Sequence, residues 1–303
     1  MLEIFEFPVE PMPPKLAAIL DRRSGFSEEV QASVSDILAN VRDRGDEAVR
    51  EYTRKFDGVE VEPGGFRVPS VELEQAAAQM DPKLTKALEE ARDNVRRFHD
   101  QQREDSWFLE DGDGVILGKK VTAIGRVGIC VPGGQAPLIS TLLMTVIPAQ
   151  VAGVEEICAV SPPRDGRRPH PDILGAAHLL GLTEIYGIGG AQAVAALAYG
   201  TASVAAVDKI VGPGNAYTVA AKKQVYGIVG IEMMPGPSEI VVLADPSGDP
   251  RFIAADLLAQ AEHGSGMEAT ICVTPSAELG YEVREQVRAQ LGQLPGSDRM
   301  TAA

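Results

Sequence analysis

Val30, Val34, Ile37, Leu38 and Val41 fall at i, i+4, i+7, i+8 and i+11, the single apolar stripe of an amphipathic helix, and Ser27 stands where its N-cap belongs. Gly45 interrupts that pattern. Asp46 restarts a helix through Ala48, Val49 and Tyr52, which Asp57-Gly58 ends. Ser70 caps a further helix to about Met80, and Asp81-Pro82 opens a long one through Leu84, Leu88, Val95 and Phe98, with cap and N1 proline in their preferred places. The first hundred residues therefore predict a helical layer. Ahead of it, residues 1–26 form a proline-rich arm with prolines at 8, 11, 13 and 14 and a short helical piece around Leu16 to Leu20. Such an arm has too little apolar surface to bury itself, so it must dock on the body or on a second subunit.

The period changes near Val115. Val115-Ile-Leu, Val121 to Ile124 and Val127-Gly-Ile-Cys-Val131 read as strands between polar turns. After Pro132-Gly133-Gly134 comes an apolar helix from about Leu138 to Val151. A strand follows at Glu156 to Val160, a helix at Pro171 to Leu180, a strand at Glu184 to Ile188, the turn Gly189-Gly190-Ala-Gln192 and a helix at Ala193 to Tyr199. Val207 to Val211 then reads as a strand, Gly212-Pro213-Gly214 as a turn, and Ala216 to Gln224 as a helix capped by Asn215, with Lys222 and Lys223 in its last turns. Strands alternating with helices predict a parallel sheet wound by right-handed crossovers. Past Ser238, strands at Ile240 to Ala244 and Ala269 to Val273 alternate with helices at Arg251 to His263 and Ala277 to Leu294. The expected fold class is α/β: residues 128–236 make a Rossmann-like parallel domain, inserted into a second α/β domain made of 27–127 and 237–303, with a helical N-terminal layer.

Composition narrows the function classes. A formal charge of −15 and a pI near 4.8 disfavour nucleic acid and anionic membranes as partners, since both repel such a surface. No run of apolar residues is long enough to span a bilayer, and the acidic N-terminus lacks the basic region of a signal peptide. Cys130, Cys158 and Cys272 lie far apart in apolar surroundings, which reads as reduced, mostly buried thiols of a cytoplasmic protein.

Three glycine turns at the ends of strands are the candidate chemistry. A strand, a glycine turn and a helix N-terminus leave backbone N–H groups converging where a pyrophosphate can sit, although the same order also describes a plain connection of an α/β domain. The strict G-x-G-x-x-G fingerprint is missing. Gln260 and His263 share a helix face at i, i+3, but one glutamine and one histidine fall short of the three or so protein ligands of a catalytic zinc.

Taken together, Val131-Pro-Gly-Gly134, Gly189-Gly-Ala-Gln192, Gly212-Pro-Gly-Asn215, Gly236-Pro-Ser-Glu239 and Gln260-Ala-Glu-His263 resemble the histidinol dehydrogenase family, in its order and close to its spacing. Tyr52-Thr-Arg-Lys-Phe-Asp-Gly58 is similar too, so the resemblance covers nearly the whole chain. It implies an NAD-dependent oxidation of L-histidinol to L-histidine through the aldehyde, with two NAD and one zinc (Zn2+) per site, in a homodimer whose fold is related to aldehyde dehydrogenases. By motif, Cys130, Gln192 and Asn215 would lie on NAD. Ser238, Gln260 and His263 would lie on substrate, and Gln260 and His263 would be zinc ligands. Cys130 stands where the family usually has a tyrosine on the nucleotide. The family's catalytic Glu-His pair and its remaining zinc ligands, an Asp and a His, find no counterpart up to residue 303, so none of these residues is assigned a catalytic role. The resemblance leaves two other readings open: a nucleotide-binding fragment or half of a split enzyme, and a paralogous zinc and NAD dehydrogenase of another amino or sulfonated alcohol.

Overall fold

A computed structural model describes residues 2–7, 11–20, 26–62, 64–133, 137–164, 168–234, 238–262 and 269–294. Its contacts divide the chain into two compact units, residues 26–234 and residues 1–25 with 235–303.

The larger unit begins with helices that follow the α1 piece of the arm (Pro14–Leu20). These are α2 (Glu28–Arg44), α3 (Asp46–Asp57), α4 (Ser70–Gln79) and α5 (Pro82–Asp100). Ser27 and Asp81 cap α2 and α5 through side-chain oxygens that accept from Val30 N and Lys83 N, and Gly58 ends α3 in the left-handed conformation. Then come β1 (Trp107–Glu110), β2 (Ile116–Lys119), β3 (Arg126–Cys130), α6 (Ile139–Val151), β4 (Glu156–Val160), α7 (Pro171–Leu179), β5 (Ile185–Tyr186), α8 (Gly190–Tyr199), β6 (Lys209–Val211), α9 (Ala216–Val225) and β7 (Gly230–Ile231). β3 to β7 form one parallel sheet in the order β5-β4-β3-β6-β7.

Side chains alternate across this sheet. Val127, Ile129, Ala159 and Ile185 enter one core with Leu142, Val146 and Ile147 of α6 and Ile173 and Ala177 of α7. Cys130, Cys158, Val160, Tyr186 and Ile210 enter the other with Val194 and Leu197 of α8 and Ala220 and Ala221 of α9. Both faces are therefore covered, as a parallel sheet requires. Within the larger unit the helical layer covers the sheet's helices: α2 packs on α8 and α9, α3 on α2 and α8, α4 on α7 and α5 on α6. The apolar stripe Val34, Ile37, Leu38 and Val41 of α2 is buried in the same core as Cys130.

The strands around residues 107–124 differ from the sequence reading. Residues 121–124 form no strand: the backbone of Val121 is held by the Ser106 hydroxyl, which accepts from Val121 N at 2.8 Å, and no ladder forms. The partner of β2 is instead β1, in an antiparallel hairpin whose strand residues are all exposed, Trp107, Phe108, Leu109, Ile116 and Leu117 among them.

The smaller unit contains β8 (Glu239–Leu243), α10 (Pro250–Ala261), β9 (Ala269–Val273) and α11 (Ala277–Leu291). β8 and β9 pair in parallel. Ile253 and Leu257 of α10 and Leu279 and Val283 of α11 form its core, against which Ile240, Val242 and Leu2 of the arm pack. Among the described residues no helix is long and apolar enough to cross a membrane.

One titratable group in the larger unit stands out. Asp57, the last residue of α3, has a buried Oδ2 with no hydrogen-bond partner, and so has Thr53 Oγ1 one turn before it. Burial pushes the Asp57 carboxyl up to about 6. The folded state thus holds this proton where the unfolded chain, with a carboxyl near the ordinary ~4, has released it, so stability falls as pH rises from about 4 to about 6. Thermal melts across that window should show the loss in the wild type and a flatter profile in Asp57→Asn. Equal pH slopes would remove Asp57 from the account.

Candidate functional site

The order of the large sheet reverses between β3 and β6, because the chain runs β3, β4, β5 in one direction and resumes on the other side of β3 with β6. A crevice at the carboxyl ends of the two strands that flank such a reversal is where open α/β sheets bind ligands. Three sequence-predicted residues are brought to that edge, with Cys130 ending β3, Gln192 in the first turn of α8 and Asn215 capping α9.

The turn after β6 is shaped by its glycines. Gly212 has φ +101°, and a Cβ built there would lie 2.2 Å from the carbonyl oxygen of Cys130. A Cβ on Gly214 would meet Thr218 Cγ2 at 2.4 Å. The backbone of the turn thus passes as close to β3 and to the first turn of α9 as a chain can. Asn215 Oδ1 accepts from Thr218 N at 3.0 Å and from Thr218 Oγ1 at 3.2 Å, which fixes the helix start and leaves the Nδ2 donors on an exposed residue. Asn215→Leu removes this cap and should cost about 1 kcal/mol of stability. A denaturation midpoint equal to the wild type's would show that the cap contributes nothing.

Beneath the turn lies a pair that the sequence reading missed. Lys222, read there as a basic residue near a helix end, is fully buried. Its Nζ donates to Gly212 O at 2.9 Å and to Glu232 Oε1 and Oε2 at 2.7 and 2.9 Å. Glu232 Oε1 also accepts from Gly212 N at 2.8 Å. Both backbone polar groups of Gly212 are therefore held by one ion pair. The signal available in the sequence was an acidic residue directly after a two-residue strand, too short to carry a period.

Cys130 is buried, with its side chain in the core on the α8 and α9 side of the sheet. Burial first, and then the Glu232 carboxylate, push its thiol up to about 12 against the opposing pull of Lys222. It stays protonated at neutral pH and is no nucleophile. What Cys130 presents at the edge is its backbone carbonyl, against which Gly212 packs.

At the second turn Gly190 has φ +66°, and a Cβ there would approach Gln192 Oε1 to 2.9 Å. Gly189 packs on Pro162, and Gln192 is only 2% exposed. The neighbouring Ser161, after β4, was not singled out from the sequence. Its hydroxyl is buried without a hydrogen-bond partner and lies 2.7 Å from the position of a Cβ on Gly133. Gly134 of the first turn lies outside the described residues.

In the smaller unit, Ser238 is exposed just before β8. Gln260, in the last turn of α10, is half-buried, and its Nε2 is buried without a partner. His263 lies outside the described residues. Among the described residues no three His, Cys, Asp or Glu side chains gather as a metal site, and Gln260 alone offers one neutral amide. These residues by themselves do not fit a zinc centre. What the edge of the large sheet offers a dinucleotide is the capped helix start at Asn215, beside the reversal of the strand order.

Fold and edge together define a doubly wound α/β protein whose strand order reverses between β3 and β6. A profile of the family described as histidinol dehydrogenase matches residues 20–303. A histidinol dehydrogenase of Geobacillus kaustophilus is 51% identical over 278 residues, 91% of this chain and 65% of its own length. That of Deinococcus radiodurans is 49% identical over 292 residues, 96% of this chain and 65% of its own. The crystal structure of histidinol dehydrogenase from Elizabethkingia anophelis superposes with a TM-score of 0.86 at 38% identity, covering 96% of this chain and 67% of that one. The chain belongs to the histidinol dehydrogenase family, and it spans about 65% of the length of these curated relatives.

Proposed function

We propose that this chain provides the nucleotide-binding edge and part of the substrate site for the NAD-dependent oxidation of L-histidinol to L-histidine through the aldehyde. The observation that carries the reading is the family match over residues 20–303. NAD would lie at the crevice between β3 and β6, near Asn215 and Gln192, and supply the hydride acceptor. Asn215 would offer its Nδ2 donors to the nucleotide while its oxygen keeps the helix capped. Gly212 and Gly214 would keep the turn packed against β3 and the first turn of α9, which sets where the helix start lies. Cys130 would act through its carbonyl and its packing in place of a tyrosine ring. Ser238, Gln260 and His263 would serve the substrate, as the family motifs imply.

Titration calorimetry with NAD tests the assignment. Asn215→Leu should weaken binding about tenfold, the loss of one or two hydrogen bonds in a ligand site. Unchanged affinity in a folded variant would overturn it.

Zinc would have Gln260 and His263 among its ligands, as the family motifs imply, and would polarise and orient the substrate. A cytoplasmic location and a homodimer complete the proposal. An isolated two-stranded hairpin is marginal in water, and large contiguous apolar surface marks interaction sites, so the exposed β1–β2 hairpin supports an oligomer. Light scattering and metal analysis of the purified chain check both points, a zinc-free monomer being the result that would count against them.

A further inference from the structure

We propose that Glu232 is the acceptor for the adenosine ribose hydroxyls of the dinucleotide and the residue that selects NAD over its 2′-phosphorylated form. The inference rests on the reading of the β3–β6 crevice as a nucleotide site and adds to it a specificity-determining side chain.

The β6-turn-α9-β7 segment is a βαβ unit. β6 and β7 are parallel neighbours, with Lys209 opposite Gly230 and Ile210 opposite Ile231, so Glu232 follows at the carboxyl end of β7, level with Val211. The turn between β6 and α9 begins Gly212-Pro213-Gly214, and Glu232 comes twenty residues after Gly212. In dinucleotide-binding units the second strand ends in an acidic residue about 20 residues after the glycine turn, and its carboxylate takes the ribose hydroxyls. The third glycine of the fingerprint is replaced by Tyr217, which is exposed and so does not obstruct the packing of α9 on the sheet.

The hydrogen bonds say what Glu232 can still do. A carboxylate has about four acceptor positions. Three are filled: Oε1 accepts from Lys222 Nζ and Gly212 N, and Oε2 accepts from Lys222 Nζ. One position on Oε2 remains, on a side chain that is 30% exposed, whereas the lysine that neutralises it is wholly buried. Lys222 has its three donors engaged by Gly212 O and the two carboxylate oxygens, so it has none for a phosphate. The group left with an open position at the carboxyl end of β7 is thus an acceptor held at the turn by its own ion pair. It matches a hydroxyl, which donates, and opposes a 2′-phosphate, which brings negative charge and accepts.

The test is calorimetric and needs no turnover. The wild-type chain is titrated with NAD, NADP and 2′-deoxy-NAD, and Glu232→Gln with NAD and NADP, with a thermal melt to show that the variant is folded. The wild type is expected to bind NAD at least tenfold more tightly than either analogue, the scale of one hydrogen bond to a charged group. In Glu232→Gln the NAD affinity should fall roughly tenfold while NADP binds as well as before or better, so the preference is lost. A purely structural Glu232 would weaken both ligands equally in the variant and leave the wild type indifferent to the 2′ position, and either result overturns the proposal while the nucleotide site stands. If Glu232→Gln does not fold, the ligand series on the wild type decides alone. Failure of the wild type to bind any of the three would overturn the nucleotide site and this inference with it.

Discussion

Gly212→Ala is expected to destabilise the protein by about 4 kcal/mol, combining the penalty of a left-handed alanine with an overpacked contact. The residue has φ +101°, and its new Cβ would lie 2.2 Å from the Cys130 carbonyl oxygen, a contact with backbone that no rotamer relieves. Either β3 or the turn must move, and the crevice between them is the candidate ligand site, so NAD binding should disappear with the stability. Gly227 is the matched control. It has the same φ of +101° but nothing within 4 Å of a built Cβ. Gly227→Ala should therefore show only the backbone part, about 1–2 kcal/mol. Denaturant midpoints of the two variants measure the difference directly, and equal losses would mean that the close approach of the two strands carries no energetic weight.

Lys222→Ala is expected to cost about 3 kcal/mol, the scale for removing one member of a buried ion pair. The ammonium is wholly buried and answers the Glu232 carboxylate and Gly212 O at once. Without it the carboxylate loses its counter-charge and the Gly212 carbonyl its donor. Partial exposure of Glu232 lets water repair some of the loss, which keeps the figure at the low end of the range. Lys223, the next residue, is exposed, and Lys223→Ala should stay within about 0.5 kcal/mol. Two adjacent lysines with the same loss would show that the buried pair contributes no more than a surface charge.

These two lysines also mark where the sequence stopped being readable. Both are good helix formers in the last turns of α9, and the local pattern assigns them the same role. Only the placement of β7 beside β6, which brings Glu232 under the Gly212 turn, separates a structural cation from a solvated one. The strand itself, Gly230-Ile231, has two residues and no period to detect.

Most local determinants were legible in the sequence, although Ser70, read as a cap, is the first residue of α4 and Pro69 holds the cap position. Ser27 and Asp81 accept from the first turns of α2 and α5, Gly58 terminates α3, and β4 runs from Glu156 to Val160 as the apolar run predicts. The alternation of strands and helices from residue 126 to 231 was enough for a parallel sheet with its glycine turns at the carboxyl edge, because crossover handedness leaves few other arrangements. The motif order likewise sufficed for the family. What required the tertiary structure were the pairings between residues far apart in sequence. The packing of the helical layer on α6 to α9 is one of them, a fit between apolar stripes that no local pattern expresses. Residues 121–124 look like a strand yet make none, since a strand exists only where a second one pairs with it and Ser106 occupies the backbone first. The burial of Lys222 and Ser161 is of the same kind: each is set by what the fold places around it.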